Sequence, residues 1–375
     1  MGKEVSSMWM LTTNKDWAQL EKAFDWVRDM KNTPQDARHH AEGDVAVHTQ
    51  MVLAALINSS DYQRLDAQSK EVLWAAALMH DIEKRSTTVS ESDGRITSRG
   101  HAKKGELSVR AWLFQHTDVP FELREQIAKL VRYHGLPLWF FEKQNPEKAI
   151  LQANLEVNMY WLGMLAEADS RGRICQDQAD LLYRNGLFKS YCEELHCWGK
   201  PFAFPSNLGR FLYFRKEDHA PDYEPFDDTQ GEVILLSGLP GTGKDTYIQK
   251  HLAGYEVLSL DDIRRRLKID PTNAKANGRV IQEAKETAKG FLRKKKPFVF
   301  NATNISRSMR EIWIDLFTSY GAKTKIVYLE VPYRQLISQN RNRAYPVPDA
   351  VLYRMLGKLE VPALWEAHEV KYVVS

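Results

Sequence analysis

Cysteine is scarce in this sequence, and long apolar runs are missing. The 375 residues include three cysteines, Cys175, Cys192 and Cys197, with no C-x-x-C pair. That excludes an even disulfide framework and fits a reducing compartment, so a cytoplasmic location is expected. No apolar run attains bilayer length and the amino terminus lacks a charged-then-apolar signal, so no membrane partner is expected. Charge of one sign is not in excess either. A formal net charge of +3 leaves any nucleic-acid binding to local patches. No internal repeat or low-complexity tract is present. The length suggests two domains, and 43% hydrophobic residues suffice to fill both cores.

What is there begins with one strong motif. Val233-Ile234-Leu235-Leu236 reads as a buried parallel strand, and Gly238-Leu239-Pro240-Gly241-Thr242-Gly243-Lys244 fits the G-x-x-x-x-G-K phosphate loop. Glycines let the backbone turn its N–H groups onto a polyphosphate. The next helix presents its positive dipole end there, and Lys244 adds a point charge. ATP or another nucleoside triphosphate, with magnesium, is expected on Gly238, Gly241, Thr242, Gly243, Lys244, Asp245 and Thr246. Asp245 stands where Ser or Thr normally holds magnesium. Two readings are open: Asp245 holds magnesium itself or through water, or it caps the helix start.

Residues 1–198 carry almost wholly helical spacing, so an all-α domain is expected there. Set into it are His40, His48, His80-Asp81, His101, His134 and Asp169, a mixture of imidazole and carboxylate that suits zinc, manganese, iron, cobalt or nickel. His80-Asp81 closes the apolar run Val72–Met79, where a metal would offset the burial of both. Lys84 lies one turn further on and suits a phosphate. Asp169 and Arg173 are spaced to share a helix face, one for metal and one for the anion. Each also has a plainer reading, as a hydrogen-bonded core histidine or an ordinary surface ion pair.

Taken together, His40-Ala41-Glu42-Gly43-Asp44-Val45-Ala46-Val47-His48-Thr49, Leu78-Met79-His80-Asp81-Ile82-Glu83-Lys84 and Glu167-Ala168-Asp169-Ser170-Arg171-Gly172-Arg173 resemble the HD-domain metal-dependent phosphohydrolases, most closely the HD modules of bacterial CCA-adding enzymes. The resemblance implies that His48, His80, Asp81 and Asp169 form a first metal site. It implies that His101 and His134 extend it to a second metal or to the substrate phosphate. His40 would touch phosphate or brace the helix entry. Arg173 and Lys84 would balance charge growing on phosphate oxygens. Glu83 stands where that family usually has Gly.

Between residues 199 and 230, prolines 201, 205, 221 and 225 alternate with aromatics. An extended connecting segment is expected, with a hairpin around Leu212-Tyr213-Phe214. Residues 231–375 then alternate strand and helix, which predicts an α/β domain with a parallel sheet and a ligand site at the carboxyl ends of its strands. Asp261 follows one such strand and is placed to take a proton from an acceptor hydroxyl; the helix-cap role falls to it or to Asp262. The basic stretch around Arg343, before Pro346 and Pro348, reads as a lid.

The phosphate loop, Asp261-Asp262-Ile263-Arg264, Asn301-Ala302-Thr303-Asn304 and Arg343 resemble the 5′-hydroxyl polynucleotide kinases of phage and bacteria. That similarity implies Asp261 as general base, Arg264 and Thr303 on a phosphate of the acceptor strand, and Arg343 on the ATP phosphates. Ala302 departs from the acidic residue often found before the threonine. Over its whole length the chain is similar to the bifunctional HD-Pnk end-healing family. The family implies a kinase for 5′-hydroxyl RNA or DNA ends and an HD half that removes 2′,3′-cyclic, 2′- and 3′-phosphates, with sealing left to a separate ligase. Two other readings stand beside it: a small-molecule P-loop kinase fused to an HD nucleotide phosphohydrolase, and a nucleotide-sensing regulator.

Overall fold

Two aspartates start the helices that organise the first half. In the computed structural model, which describes residues 8–270 and 273–375, Asp44 accepts from the Val47 amide at 3.0 Å and opens Val45–Ile57 (α1). Asp66 does the same for Ala67–Met79 (α2) through the Ser69 amide, also at 3.0 Å. Side-chain caps of this kind stabilise a helix by about 1 kcal/mol each. Every residue from Val72 to Met79 is at most 1% exposed. A helical stretch apolar on all sides has to be surrounded, and α2, which carries this one, touches α1, Phe121–Tyr133 (α4) and Met159–Arg171 (α6). His101–His116 (α3) packs against α4, and the short Leu136–Trp139 (α5) follows α4 after one bend. Gln178–Glu194 (α7) lies on α6. This unit runs to Phe202. Among its described residues, strand is confined to a ribbon of two-residue strands, Val89–Ser90 and Ile96–Thr97.

The second unit runs from Ala203 to Ser375. Its strands are Glu232–Ser237 (β1), Glu256–Ser259 (β2), Phe298–Asn301 (β3), Lys323–Glu330 (β4) and Glu369–Val374 (β5). They form one parallel sheet in the order β2-β3-β1-β4-β5. Alternate residues of β1 enter opposite layers. Val233 and Leu235 join Phe298, Phe300, Trp313 and Phe317, whereas Ile234 and Leu236 join Ile248, Val299 and Val327. A sheet covered on both faces needs a continuous apolar strand, which is why Val233–Leu236 shows no alternation.

The expected hairpin around Leu212-Tyr213-Phe214 is instead a helix, Asn207–Arg215 (α8). Ser206 caps it through the Gly209 amide at 3.0 Å, and Pro205 and Pro221 bracket the helix without interrupting it. Of the segment expected as a connector, residues 199–202 sort with the first unit and 203–230 with the second. Phe211 of α8 is 2% exposed in the core of the second unit.

Phe211 stacks on His368 with ring centroids 4.1 Å apart. His368 is 3% exposed, and its Nδ1 accepts from the Thr324 amide at 3.0 Å and lies 2.9 Å from the Thr324 hydroxyl. Burial pushes its pKa from 6.5 down to about 4, the Lys323 charge adding to the shift. Below 6.5 the unfolded chain takes up this proton first. The stability it contributes is therefore present above about pH 6.5 and is lost as pH falls toward 4. Replacing His368 by Asn, which keeps an acceptor and does not titrate, is expected to flatten that acid limb in denaturant unfolding at a series of pH values.

Candidate metal centre and phosphate loop

The first site forms because α6 lies unusually close to α1. A Cβ on Gly172 would fall 2.6 Å from Val52 Cγ2 and 2.9 Å from the Val52 amide nitrogen, so that position takes only glycine without displacement. The approach sets His48 Nε2 3.0 Å from Asp169 Oδ1, and the Gly172 carbonyl 3.3 Å from His48 Nδ1. The end of α2 delivers His80 and Asp81, the start of α3 delivers His101, and the end of α4 delivers His134. His80, His101 and His134 share one local device. Each places Nδ1 on the carbonyl three residues earlier: Ala77 at 2.7 Å, Ser98 at 2.7 Å and Val131 at 2.8 Å. A ring nitrogen donating to a carbonyl leaves the Nε2 lone pair free, the tautomer and orientation of a metal ligand.

Besides a group of His40, Glu42 and His48, the donor atoms fall into two more, each within 4.8 Å: His48, His80 and Asp169, and Asp81, His101 and His134. Asp81 joins them. Its Oδ2 lies 3.1 Å from His80 Nε2 and 3.8 Å from His48 Nε2, and its Oδ1 lies 3.3 Å from His101 Nε2 and 3.9 Å from His134 Nε2. His80 Nε2 and Asp81 Oδ1 are buried without a hydrogen-bond partner among the described residues. Orphaned buried polar atoms are costly, and a divalent cation satisfies both. The residues fit one metal or a pair.

Charge agrees with geometry at His101 and His134 but not at His48. Burial pushes His134 down to about 3, with His101 and His80 adding to the shift, and burial lowers His101 as well, so both imidazoles stay neutral. Asp81 is held well below the usual carboxylate range: burial opposes its ionisation, and His80 and Lys84 outweigh it. Asp169 is held low against burial by Arg173 and His48. His48 shifts upward, because Asp169 and Glu42 outweigh its burial.

A cavity of about 700 Å³ opens beside this centre, lined by Asp81, His101, His134, His40, Lys84 and Arg173 among others. Lys84 Nζ sits 2.8 Å from Asp81 Oδ2 and 2.7 Å from Gln35 Oε1. Arg173 lies just past the last residue of α6, and not on the helix as its spacing suggested, and its fork grips Asp169 at 2.6 and 3.2 Å. The ordinary ion pair and the site residues are thus the same two groups. Sequence reasoning missed a role for Glu42. Its fully buried carboxylate lies 2.8 Å from His40 Nδ1 and 2.9 Å from His48 Nδ1, and it accepts from the Ile174 amide at 2.8 Å. The one signal was an acid between two histidines at a helix entry. Outer partners of metal ligands typically affect metal affinity by 10–100-fold. Replacing Glu42 by Ala is expected to weaken manganese binding by roughly that factor in calorimetric titration.

In the second unit, the phosphate loop follows β1 and leads into Lys244–His251 (α9). Gly238 has φ 149°, and a Cβ there would meet the Leu329 carbonyl at 2.5 Å. Gly241 has φ 90°, with Leu336 O and the Asn340 amide 3.1 Å from where a Cβ would stand. The Gly238 amide donates to the Thr303 carbonyl at 2.9 Å, and buried Thr242 donates to Leu239 O at 2.9 Å. Lys244 Nζ donates to the Gly238 and Leu239 carbonyls, both at 2.8 Å. Burial lowers Lys244 to about 8, Asp245 opposing the shift and Arg343 adding to it. Gly243, without a side-chain cap, precedes α9, and Asp245 instead accepts from Asn301 Nδ2 at 2.7 Å. Thr246 is exposed beside it.

Asp261 lies in the first turn of Leu260–Arg266 (α10), which Ser259 caps. It pairs with Arg264, whose Nε donates to Asn277 Oδ1 at 3.1 Å. Lys244, Asp261 and Thr303 therefore follow the carboxyl ends of β1, β2 and β3. Arg343 follows the last residue of Tyr333–Asn342 (α11) and is half-buried. Buried Asn340 pins the segment beyond it, donating to Val347 O at 2.7 Å and accepting from the Val347 amide at 3.1 Å.

Residues 233–362 match the family described as an AAA domain. With the strand, loop, lysine and helix above, this makes the second unit a P-loop domain of the kinase type, which implies ATP and magnesium. Among known proteins, the chain is 32% identical over 126 residues to a multifunctional CCA protein of Methylococcus capsulatus, and 31% identical over 121 residues to one of Nitrosospira multiformis. These matches cover 33% and 32% of this chain, which spans about 26% of the length of each relative. Among solved structures it is similar to the Pnkp1/Rnl/Hen1 complex at 18% identity and a TM-score of 0.29, over 33% of this chain and 43% of that one. It is also similar to a putative kinase from Chloroflexus aurantiacus at 16% identity and a TM-score of 0.31, over 39% of this chain and 86% of that one. Overlap of that degree says nothing about substrate. Among the described residues, no helix is long and apolar enough to cross a membrane.

Proposed function

We propose that this protein is a bifunctional enzyme that mends broken RNA or DNA ends. The carrying observation is the convergence of His48, His80, Asp81, His101, His134 and Asp169 on one buried centre, in the same chain as a phosphate loop. The second unit transfers the γ-phosphate of ATP to a 5′-hydroxyl. Lys244 leaves its carbonyl partners for the nucleotide phosphates, and Arg343 closes on them. Asp261 accepts the hydroxyl proton once Arg264 turns with Thr303 to a phosphate of the acceptor strand.

The first unit removes 2′,3′-cyclic, 2′- and 3′-phosphates. A divalent transition metal held there supplies, when bound, Lewis acidity toward water and phosphate. Lys84 and Arg173 stabilise the charge that grows on the phosphate oxygens, and His40 borders the same cavity. The products are ends that a separate ligase seals.

An RNA bearing both a 5′-hydroxyl and a 2′,3′-cyclic phosphate tests this. Asp81→Ala is expected to abolish 3′-end healing and spare 5′-phosphorylation, and Lys244→Ala to do the reverse. Loss of both reactions in either variant, or of neither, goes against two independent centres. Asp245→Ser, in turn, is expected to shift the magnesium concentration that half-saturates phosphoryl transfer. An unmoved titration would remove Asp245 from the metal.

A further inference from the structure

The phosphate groups proposed above use only part of the cavity beside the metal centre. Its volume of about 700 Å³ is ample for a nucleotide and far exceeds the needs of a phosphate alone. Two large aromatics line it: Tyr133, whose hydroxyl is tied to Glu156 at 2.9 Å, and Trp139, at the end of α5, which is 42% exposed despite an apolar ring. Arg184 stands over that indole with its guanidinium carbon 4.9 Å from the ring centroid. The guanidinium is itself held by Asp180 at 2.9 Å, Leu138 O at 3.2 Å and Glu142 at 3.3 Å. A fixed planar cation thus covers part of the indole, while the ring still lines the cavity and remains exposed enough to meet a flat ligand.

Chain geometry bounds the distance. Trp139 comes five residues after the ligand His134, along backbone that is helical apart from the bend at Gly135. Five residues of chain keep their Cα atoms within roughly 18 Å of one another, and both side chains line the one cavity, which leaves room for a nucleoside between the phosphate and the indole. We infer that Trp139 is a stacking platform for the base of the terminal nucleoside whose phosphate the metal centre removes. The inference rests on the phosphohydrolase reading given above. The ligand class is a nucleobase on a ribose phosphate, from a strand end or from a free nucleotide. Stacking accepts any base, because every base has a π-face. The unit would then demand a nucleoside while staying indifferent to sequence.

The test compares adenosine 3′-phosphate, a short oligoribonucleotide ending in 3′-phosphate, and glycerol 2-phosphate, which has no ring. Trp139→Ala is expected to raise KM for adenosine 3′-phosphate about tenfold or more, as loss of one stacked base does, with kcat changed less. Trp139→Phe should recover most of that loss. The glycerol 2-phosphate KM should move several-fold less. An equal shift for the oligonucleotide assigns the platform to strand ends, and a shift for the mononucleotide alone assigns it to free nucleotides. Equal losses on the ringed and ringless compounds, or no loss on either, overturn the inference. If the wild-type protein hydrolyses none of them, the phosphohydrolase reading fails by itself. Calorimetric binding of adenosine 3′-phosphate under chelator then still reads the platform: weaker binding in Trp139→Ala supports it, and unchanged binding removes it.

Discussion

The first unit depends on a single carboxylate buried among imidazoles at the edge of a cavity. Asp81 is 2% exposed and turns its oxygens toward two different sets of imidazoles. An ion so placed is tolerated only if the surroundings return what hydration gave. His80 and Lys84 return part of it, and the orphaned Oδ1 marks what is left over. The architecture follows from this need. The apolar stretch Val72–Met79 of α2 is driven to the centre by burial, and its end then carries Asp81 inward beside His80 and Lys84, where His48 of α1, His101 of α3 and His134 after α4 face it.

How much of this was legible beforehand depended on whether the signal was local. The phosphate loop, the strand Val233–Leu236 and the closing strand Glu369–Val374 were readable, since each is written in consecutive residues. The histidines that cluster here were visible as a pattern along the chain. Their tautomers were not, because these are set by carbonyls that only helix ends expose. Glu42 was hidden for a related reason: its partners His40 and His48 are near in sequence, but its burial comes from the Ile174 segment more than a hundred residues away. The helix Asn207–Arg215 was misread because prolines count against helices, whereas here they stand outside its ends.

In the second unit the comparable long-range constraint is Arg310. It is fully buried, grips Glu366 at 2.6 and 2.8 Å, and donates to the carbonyls of Asn304 and Glu360. Asn304, at φ 44°, also takes the Ser237 hydroxyl on its carbonyl and gives its amide to Leu236 O. Asn304 thus ties the loop carrying Thr303 to the strand that carries the phosphate loop, and the guanidinium ties Asn304 in turn to Glu360 and Glu366. Neither Arg310 nor Glu366 approaches the nucleotide cradle in sequence, and nothing local announces either of them.

The seat of Gly241 against Leu336 and Asn340 has a mechanical consequence. Because the bend of the phosphate loop packs closely on the helix that leads to Arg343, a swing of that helix would have to break this packing. Because Asn340 also clasps Val347, freedom to gape is left to the short arc between those two residues. Opening for nucleotide exchange is then a flexing of a few residues at the rim, a hatch and not a hinged door.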